Sequence, residues 1–268
     1  MHTTASDGRC TPTELVDKAA QVGLTVMAVT DHDTTASTDE VRALAALHGI
    51  EAVNGIEVTA VEHGRDVHVL AYFCDTASAT LGDFLAGGRA ARVERLHAIA
   101  KRLAAEGVAI DLAPLEARSR GGRSVGRPLI ARALVEAGHV VDLREAFETW
   151  LIEGRPAFVP RTGYGVATVV DVVHAAGGRA SLAHPGLTKI DDRLAEFRDA
   201  GLDAIEVYHS SHDAEAVAHY AALATRLGFL CTGGSDFHGN PEQGRPLGGV
   251  TLSPDDWARF HDGRAGRA

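Results

Sequence analysis

Two periods of apolar residues alternate along the chain. "PTELVDKAAQVG" repeats its apolar positions every three to four residues, as an amphipathic helix does, while "TVMAVTDHD" begins as a short Val-rich run typical of a buried strand. A helical "TDEVRALAALHG" and two strand-like runs, "EAVNGIEVT" and "DVHVLAYF", follow. This order predicts βα units around a mainly parallel sheet. From 81 to 160 the strand signals stop, and "RAARVERLHAIAKRLAAEG", "GRPLIARALVEAG" and "DLREAFETWL" predict three helices ended by Gly or by the loop before Pro156. Alternation resumes with "RPAFVP", "GVATVVDVVHAAGG", "ASLAHPG", "DDRLAEFRDAG", "LDAIEVYHSSHD", "EAVAHYAALATRLG" and "FLCTGGSDFHG". The expected organisation is an α/β barrel formed by 1–80 and 161–268 with a helical insertion at 81–160, and the tail after Phe260 is expected to fray.

Polar chemistry falls at one end of the β runs. Asp31, His32 and Asp33 follow "VMAVT", Glu57 lies in "GIEV", His184 follows "ASLA", Glu206 and His209 mark "IEVYH", and Asp236 and His238 follow "CTGGS". In a βα barrel the loops at the C-terminal strand ends converge on one mouth. His68 lies inside "DVHVLAYF", where alternation puts Asp66, His68, Leu70 and Tyr72 on one face, pointing into the barrel. Singly, each of these is more often an ordinary rim or core residue. Their coincidence at successive strand ends predicts a multinuclear metal site, and imidazole and carboxylate donors without thiolate suit Mn²⁺, Zn²⁺ or Fe.

Charge adds a second feature. The 268 residues carry a formal charge of −10 and are 45% hydrophobic, enough for a substantial core but the wrong sign for a general nucleic-acid coat. Arg89 to Arg132, however, holds ten Lys or Arg against four acidic residues, a local +6 that leaves −16 elsewhere. Such a run is usually a solvated helical face. The three cysteines form no CxxC pair, and no signal peptide or membrane-length apolar run is present, so a cytoplasmic protein without a membrane partner is expected. Cys74 and Cys231 read as small buried residues, and His48, His63, His97, His139, His174, His219 and His261 carry no assigned chemistry.

"GRSVG", Gly122 to Gly126, matches a serine-hydrolase elbow in letters, but no strand precedes it. A better account makes Ser124 a helix cap and Pro128 an early helical position, so that Ser124, Arg127 and free N–H groups hold an anion. There is no Walker loop, and no GxGxxG follows a strand.

"HTTASDG", "AVTDHDT", "VNGIEVT", "VHVLAYF", "GRP" with "ARALVEAGHV", "RPAFVP", "AHPG", "IEVYH" and "GSDFHG" together resemble the PHP (polymerase and histidinol phosphatase) family. Within that family the residues look more like its branch of stand-alone phosphoesterases acting on nucleoside 3′,5′-bisphosphates and short RNA. The resemblance implies a distorted seven-stranded βα barrel with a helical insertion and two to three divalent ions, Mn²⁺ first and Zn²⁺ or Fe as alternatives. It implies His2, Glu57 and Asp236 at a first metal, Asp7, His32 and His238 at a second, and Glu57, His68 and His184 at a third. Arg92, Arg95, Ser124 and Arg127 would grip a second, unreactive phosphate, because guanidinium forks match phosphate oxygens.

Two departures from the family stand out. Its opening His-x-His has Met1 at x, so the first histidine and the first strand are expected to be missing, as if Met1 were an internal methionine or a truncation point. Leu129 stands where His is expected after "GRP". The expected reaction is hydrolysis of the 3′-phosphate of nucleoside 3′,5′-bisphosphates, with 5′→3′ trimming of short RNA beside it. The leaving oxygen would take its proton from His209 or a metal-bound water, and His209 and His212 read equally as rim residues. Histidinol-phosphate or cyclic-phosphate hydrolysis is the enzymatic alternative, and a non-catalytic metal- or nucleotide-binding module with a decayed first site is the alternative of another class.

Overall fold

The computed structural model describes residues 1–240 and 244–262. Six strands form one sheet in the order β1-β2-β3-β4-β5-β6: β1 Val26–Val29, β2 Glu51–Glu62, β3 Arg65–Tyr72, β4 Arg179–Leu182, β5 Ala204–His209 and β6 Leu230–Gly234. The helices are α1 Pro12–Gln21, α2 Thr38–Leu47, α3 Ala79–Ala105, α4 Ala113–Arg120, α5 Arg127–Glu136, α6 Leu143–Ala146 with a π-helical turn over Phe147–Leu151, α7 Val166–Ala175, α8 Pro185–Thr188, α9 Leu194–Asp199, α10 Ala214–Leu227 and α11 Pro254–Asp262. None among the described residues is long and apolar enough to cross a membrane.

The expected parallel pairing holds for β1 with β2, β4 with β5 and β5 with β6, while β3 runs antiparallel to both its neighbours. The cause is the turn "EHGR". His63 and Gly64 take φ of 49° and 78°, the consecutive left-handed pair that a two-residue hairpin requires, so β2 folds straight back with no helix between. "RPAFVP" forms no strand. Its two prolines lack the N–H that a ladder needs.

β1 and β6, the ends of the order, do not pair with each other among the described residues. The first residues of the chain bridge them instead: Thr30 N donates to Met1 O at 2.9 Å, and His2 N donates to Phe237 O at 2.8 Å. A cavity of about 530 Å³ opens there, lined by Leu24 and Met27 on one side and Gly233, Trp257 and Phe260 on the other.

Three apolar clusters hold the elements. α7, α9 and α10 cover the sheet through Val169, Val173, Phe197 and Leu223 against Val67, Val69, Ala71, Leu182 and Val207. α1 and α2 pack on β1 through Leu15, Val16, Val41 and Ala45, with α1 started by a reciprocal Thr11–Glu14 cap. The strand-free segment has its own core, in which Leu96, Ile99 and Leu103 meet Ile130, Leu134 and Leu151. α3 serves both sides: Leu81 and Leu85 belong to the sheet's core, and Leu96 onward to the other, so the expected boundary at 81 falls inside one helix. α4 was not expected, because it buries only Leu115 and shows no apolar stripe.

Candidate metal centre and arginine pocket

Glu57 sits where β2 leaves β1 and joins β3, bridged to His32 and opposite Leu70. Alternation along β3 acts as expected: Val67, Val69 and Ala71 enter the outer core, while Leu70 and Tyr72 line the large cavity and Asp66 and His68 a smaller one. Asp33, His184 and Asp236 leave their strands with φ of 50°, 29° and 49°. For residues with a Cβ that backbone costs on the order of 1–3 kcal/mol and persists where the surroundings enforce it.

The N-terminal loop is folded by Asp31. Its carboxylate accepts from Thr3 N (2.8 Å), Thr3 Oγ1, Ser6 Oγ and Ser37 Oγ (each 2.6 Å). Gly8 is required for this fold, because a Cβ there would lie 2.3 Å from His2 O. The insertion holds the same loop from outside. Arg118 Nη2 donates to Thr4 O (2.7 Å) and Ser6 O (2.9 Å), Arg132 donates to Asp7 O, and Ser124 N donates to Ala5 O (2.9 Å).

His2 and Asp7 thereby join the strand-end residues. Three groups bring one donor atom per residue within 4.8 Å of each other: His2, Glu57 and Asp236; His2, Asp7, His32 and His238; and His32, Glu57 and His68. His2 Nε2 lies 3.0 Å from Glu57 Oε2 and 3.1 Å from Asp236 Oδ1. Glu57 Oε1 faces His68 Nδ1 at 2.5 Å and His184 Nε2 at 3.3 Å, and His238 Nε2 is 3.3 Å from Asp7 Oδ1. All eight expected ligands are therefore brought together.

The residues fit divalent cations. His2 Nε2, His32 Nδ1 and His68 Nδ1 are buried and close to carboxylate oxygens, yet none has a hydrogen-bond partner of proper geometry. Nitrogen lone pairs and anionic oxygens converging without N–H alignment are what a cation completes. Burial pulls the His2 pKa down, but Asp236 and Glu57 overcome it and lift it to about 10. His184 rises to about 9 against the same burial, through Glu57. Burial prevails at His32, which falls to about 4. Glu57 is held well below the carboxylate range, the charges of His32 and His68 outweighing the burial that opposes them.

His209 and His212 separate. His212 uses both ring nitrogens, Nδ1 on Val207 O (2.9 Å) and Nε2 accepting from Gly186 N (3.2 Å), and is a structural rim residue. A Cβ on Gly186 would lie 2.7 Å from that Nε2, which explains the glycine of "AHPG". His209 is turned inward. Ser211 N donates to its Nδ1 at 3.1 Å, which assigns the ring proton to Nε2, and Nε2 faces Asp236 Oδ2 at 3.6 Å. Arg245, unexpected from sequence, rests on that same Asp236 oxygen.

Beyond His68 and His32 lies the smaller cavity, about 130 Å³, lined also by Asp66, Arg92, Ser124, Arg127 and Arg161. Arg92 is committed: Nε to Asp33 Oδ2 (2.5 Å), Nη1 to Val125 O (3.1 Å) and Nη2 to Thr59 Oγ1 (2.8 Å). Arg95 Nε donates to Val159 O at 2.9 Å, and Arg127 Nη2 donates to Asp66 Oδ2 at 3.1 Å. Ser124 is not the cap of α5. Gly126 is, because the Ser124 backbone is tied to Ala5 two residues earlier. Its hydroxyl is left buried without a partner. Leu129 is buried in the insertion core. Arg161 was missed: it follows "RPAFVP" and lies outside the basic run of 89–132.

The description of the PHP domain matches residues 1–151. The chain belongs to the PHP domain family. It is 34% identical over 253 residues to the 3′,5′-nucleoside bisphosphate phosphatase of Chromobacterium violaceum, covering 92% of this chain and 89% of that protein. To the 5′-3′ exoribonuclease Rnm of Escherichia coli it is 32% identical, covering 88% and 83%. A solved amidohydrolase structure from Chromobacterium violaceum, with bound sulfate and no metal, superposes with a TM-score of 0.87 at 32% identity, covering 98% of this chain and 94% of that one.

Proposed function

We propose that this PHP protein is a metal-dependent phosphoesterase that removes the 3′-phosphate from nucleoside 3′,5′-bisphosphates, leaving the 5′-nucleotide. The observation that carries the reading is adjacency. The ligand groups around Glu57 and the arginine-lined cavity share His32, His68 and Asp7 as a common wall. One phosphate can be held for cleavage while a second is held by Ser124 and Arg127, with Arg92 and Arg95 framing that pocket. Kinship with the bisphosphate phosphatase and the exoribonuclease supports the same assignment, and a 5′-phosphate on short RNA would use the same pocket.

His2, Glu57 and Asp236 would hold a first ion, Asp7, His32 and His238 a second, and Glu57, His68 and His184 a third. Mn²⁺ is the proposed metal. Such ions supply Lewis acidity toward the phosphoryl oxygens and an activated water. The chain's own part is orientation and stabilisation of the leaving oxygen. Asp31 fixes the loop bearing His2 and Asp7, Arg127 and Ser124 fix the unreactive phosphate, and His209 directs its Nε2–H to the departing 3′-oxygen, stabilising the alkoxide by a hydrogen bond until solvent protonates it. In this reading 81–160 acts as the substrate-binding insertion.

A phosphate-release screen with Mn²⁺ across a nucleoside 3′,5′-bisphosphate, histidinol phosphate and short 5′-phosphorylated RNA tests the assignment. The bisphosphate should be the preferred substrate, and no preference for it would remove the reading. His209→Ala should lower kcat about 10²-fold on the bisphosphate, an alkoxide leaving group, and much less on p-nitrophenyl phosphate, whose leaving group needs no proton.

A further inference from the structure

The arginine pocket contains a carboxylate that an anion site would seem not to want. Asp66, on the inner face of β3, has Arg127 Nη2 at 3.1 Å and Arg95 Nη1 at 3.7 Å from Oδ2, and Arg161 Nε at 3.3 Å from Oδ1. Three guanidiniums around one carboxylate leave a surplus of positive charge beside a cavity of about 130 Å³. Two buried polar groups facing it are unanswered: Ser124 Oγ has no partner, and Arg161 Nε–H has no aligned acceptor despite the nearby Asp66 oxygen. Burial first, and then the neighbouring arginines, push Arg161 down to about 9 and Arg95 to about 10, against Asp66 and, for Arg161, Asp33 at 4.0 Å.

We infer that Arg161, contributed from the barrel side, grips the substrate's second phosphate together with Ser124 and Arg127, and that Asp66 is the resident counter-anion which this phosphate displaces. The inference rests on the bisphosphate reading and deepens it. Arg161 and Arg127 approach Asp66 from opposite oxygens, so a tetrahedral oxyanion between them meets both forks at once. Asp66 keeps the two forks in place between substrates and weakens the hold on the phosphate, which lets the 5′-nucleotide leave. The cavity lies well below the roughly 300 Å³ of pockets for whole small molecules, so it suits a terminal phosphomonoester and not a diester carrying a second nucleoside.

The test is calorimetric titration of the metal-loaded protein with adenosine 5′-monophosphate, beside steady-state kinetics. Arg161→Gln should weaken binding about tenfold to a hundredfold. It should also lower kcat/KM for the bisphosphate more than for phenyl phosphate, which has no second phosphate. Arg161→Lys, keeping the charge without the fork, should fall between. Asp66→Asn should bind the mononucleotide about tenfold more tightly and turn over more slowly, with kcat and KM falling together. A carboxylate that only braced the fold would give weaker binding on substitution. Mononucleotide binding by Arg161→Gln equal to wild type overturns the inference, as does weaker binding by a folded Asp66→Asn. Should Asp66→Asn lose its near-ultraviolet dichroism, the two Arg161 variants decide. A wild type without bisphosphate preference would refute the underlying reading before any substitution is made.

Discussion

Two nests of buried charge lie side by side, one around Asp33 and one around Glu57, and they are built in opposite ways. Asp33 accepts from Arg92 Nε and Thr59 N, and Arg92 places its other nitrogens on Val125 O and Thr59 Oγ1. Each strong group there is answered. Around Glu57, four imidazoles crowd one carboxylate, yet His2, His32, His68 and His184 each keep a buried ring nitrogen without a hydrogen-bond partner. Leaving such a group unanswered costs about 1–3 kcal/mol, so a concentration of them marks a place completed by something else. Within these two nests, completeness of hydrogen bonding, more than charge or burial, distinguishes the group that holds the fold from the group that would meet a ligand on the proposed assignment. Asp31 and His212 fall on the first side, Ser124 and Arg161 on the second.

The contrast can be broken most directly at its centre. Glu57→Gln should lower phosphate release at least about 10³-fold and lower bound metal, read by elemental analysis, because several kcal/mol of charge stabilisation depend on that carboxylate. Arg92→Ala should instead act on the fold, leaving Asp33 buried and unpaired at a cost of about 3–5 kcal/mol, read as a lower midpoint in denaturant. Equal loss of stability from both substitutions in metal-free protein would erase the distinction. The smallest effect sharpens it. His2 and His184, raised to about 10 and about 9, are charged at neutral pH without metal, and ligation needs them neutral. Metal binding should therefore release about two protons at pH 7.5 and strengthen as pH rises, measured by calorimetry in buffers of different ionisation enthalpy.

Much of the site was legible because its residues stand at strand ends and on one face of β3, positions that local periodicity reveals. The limits were equally physical. "TDHDT" offers three polar residues in a row, and no local pattern says that Asp31 binds only hydroxyls and an N–H while His32 turns to Glu57. Asp66 meets Arg127 across 61 residues, a pairing that exists only once the insertion docks. The hairpin between β2 and β3 was hidden because His63, not glycine or asparagine, takes the first left-handed position. Ser124 had the chemistry of a helix cap, and the bond from its own N–H to Ala5 O gave that place to Gly126.

The grip of Arg118, Arg132 and Ser124 on the carbonyls of Thr4, Ala5, Ser6 and Asp7 bears on how such proteins can be recombined. An insertion with its own apolar core looks like a module that could be exchanged to change substrate. Here the exchanged piece would also have to supply donors for four backbone oxygens beside His2 and Asp7, or the cation-holding half would lose its geometry with the graft. On the proposed assignment specificity and metal affinity would be inherited as one trait, and productive crossovers should carry residues 1–10 along with the helices that hold them.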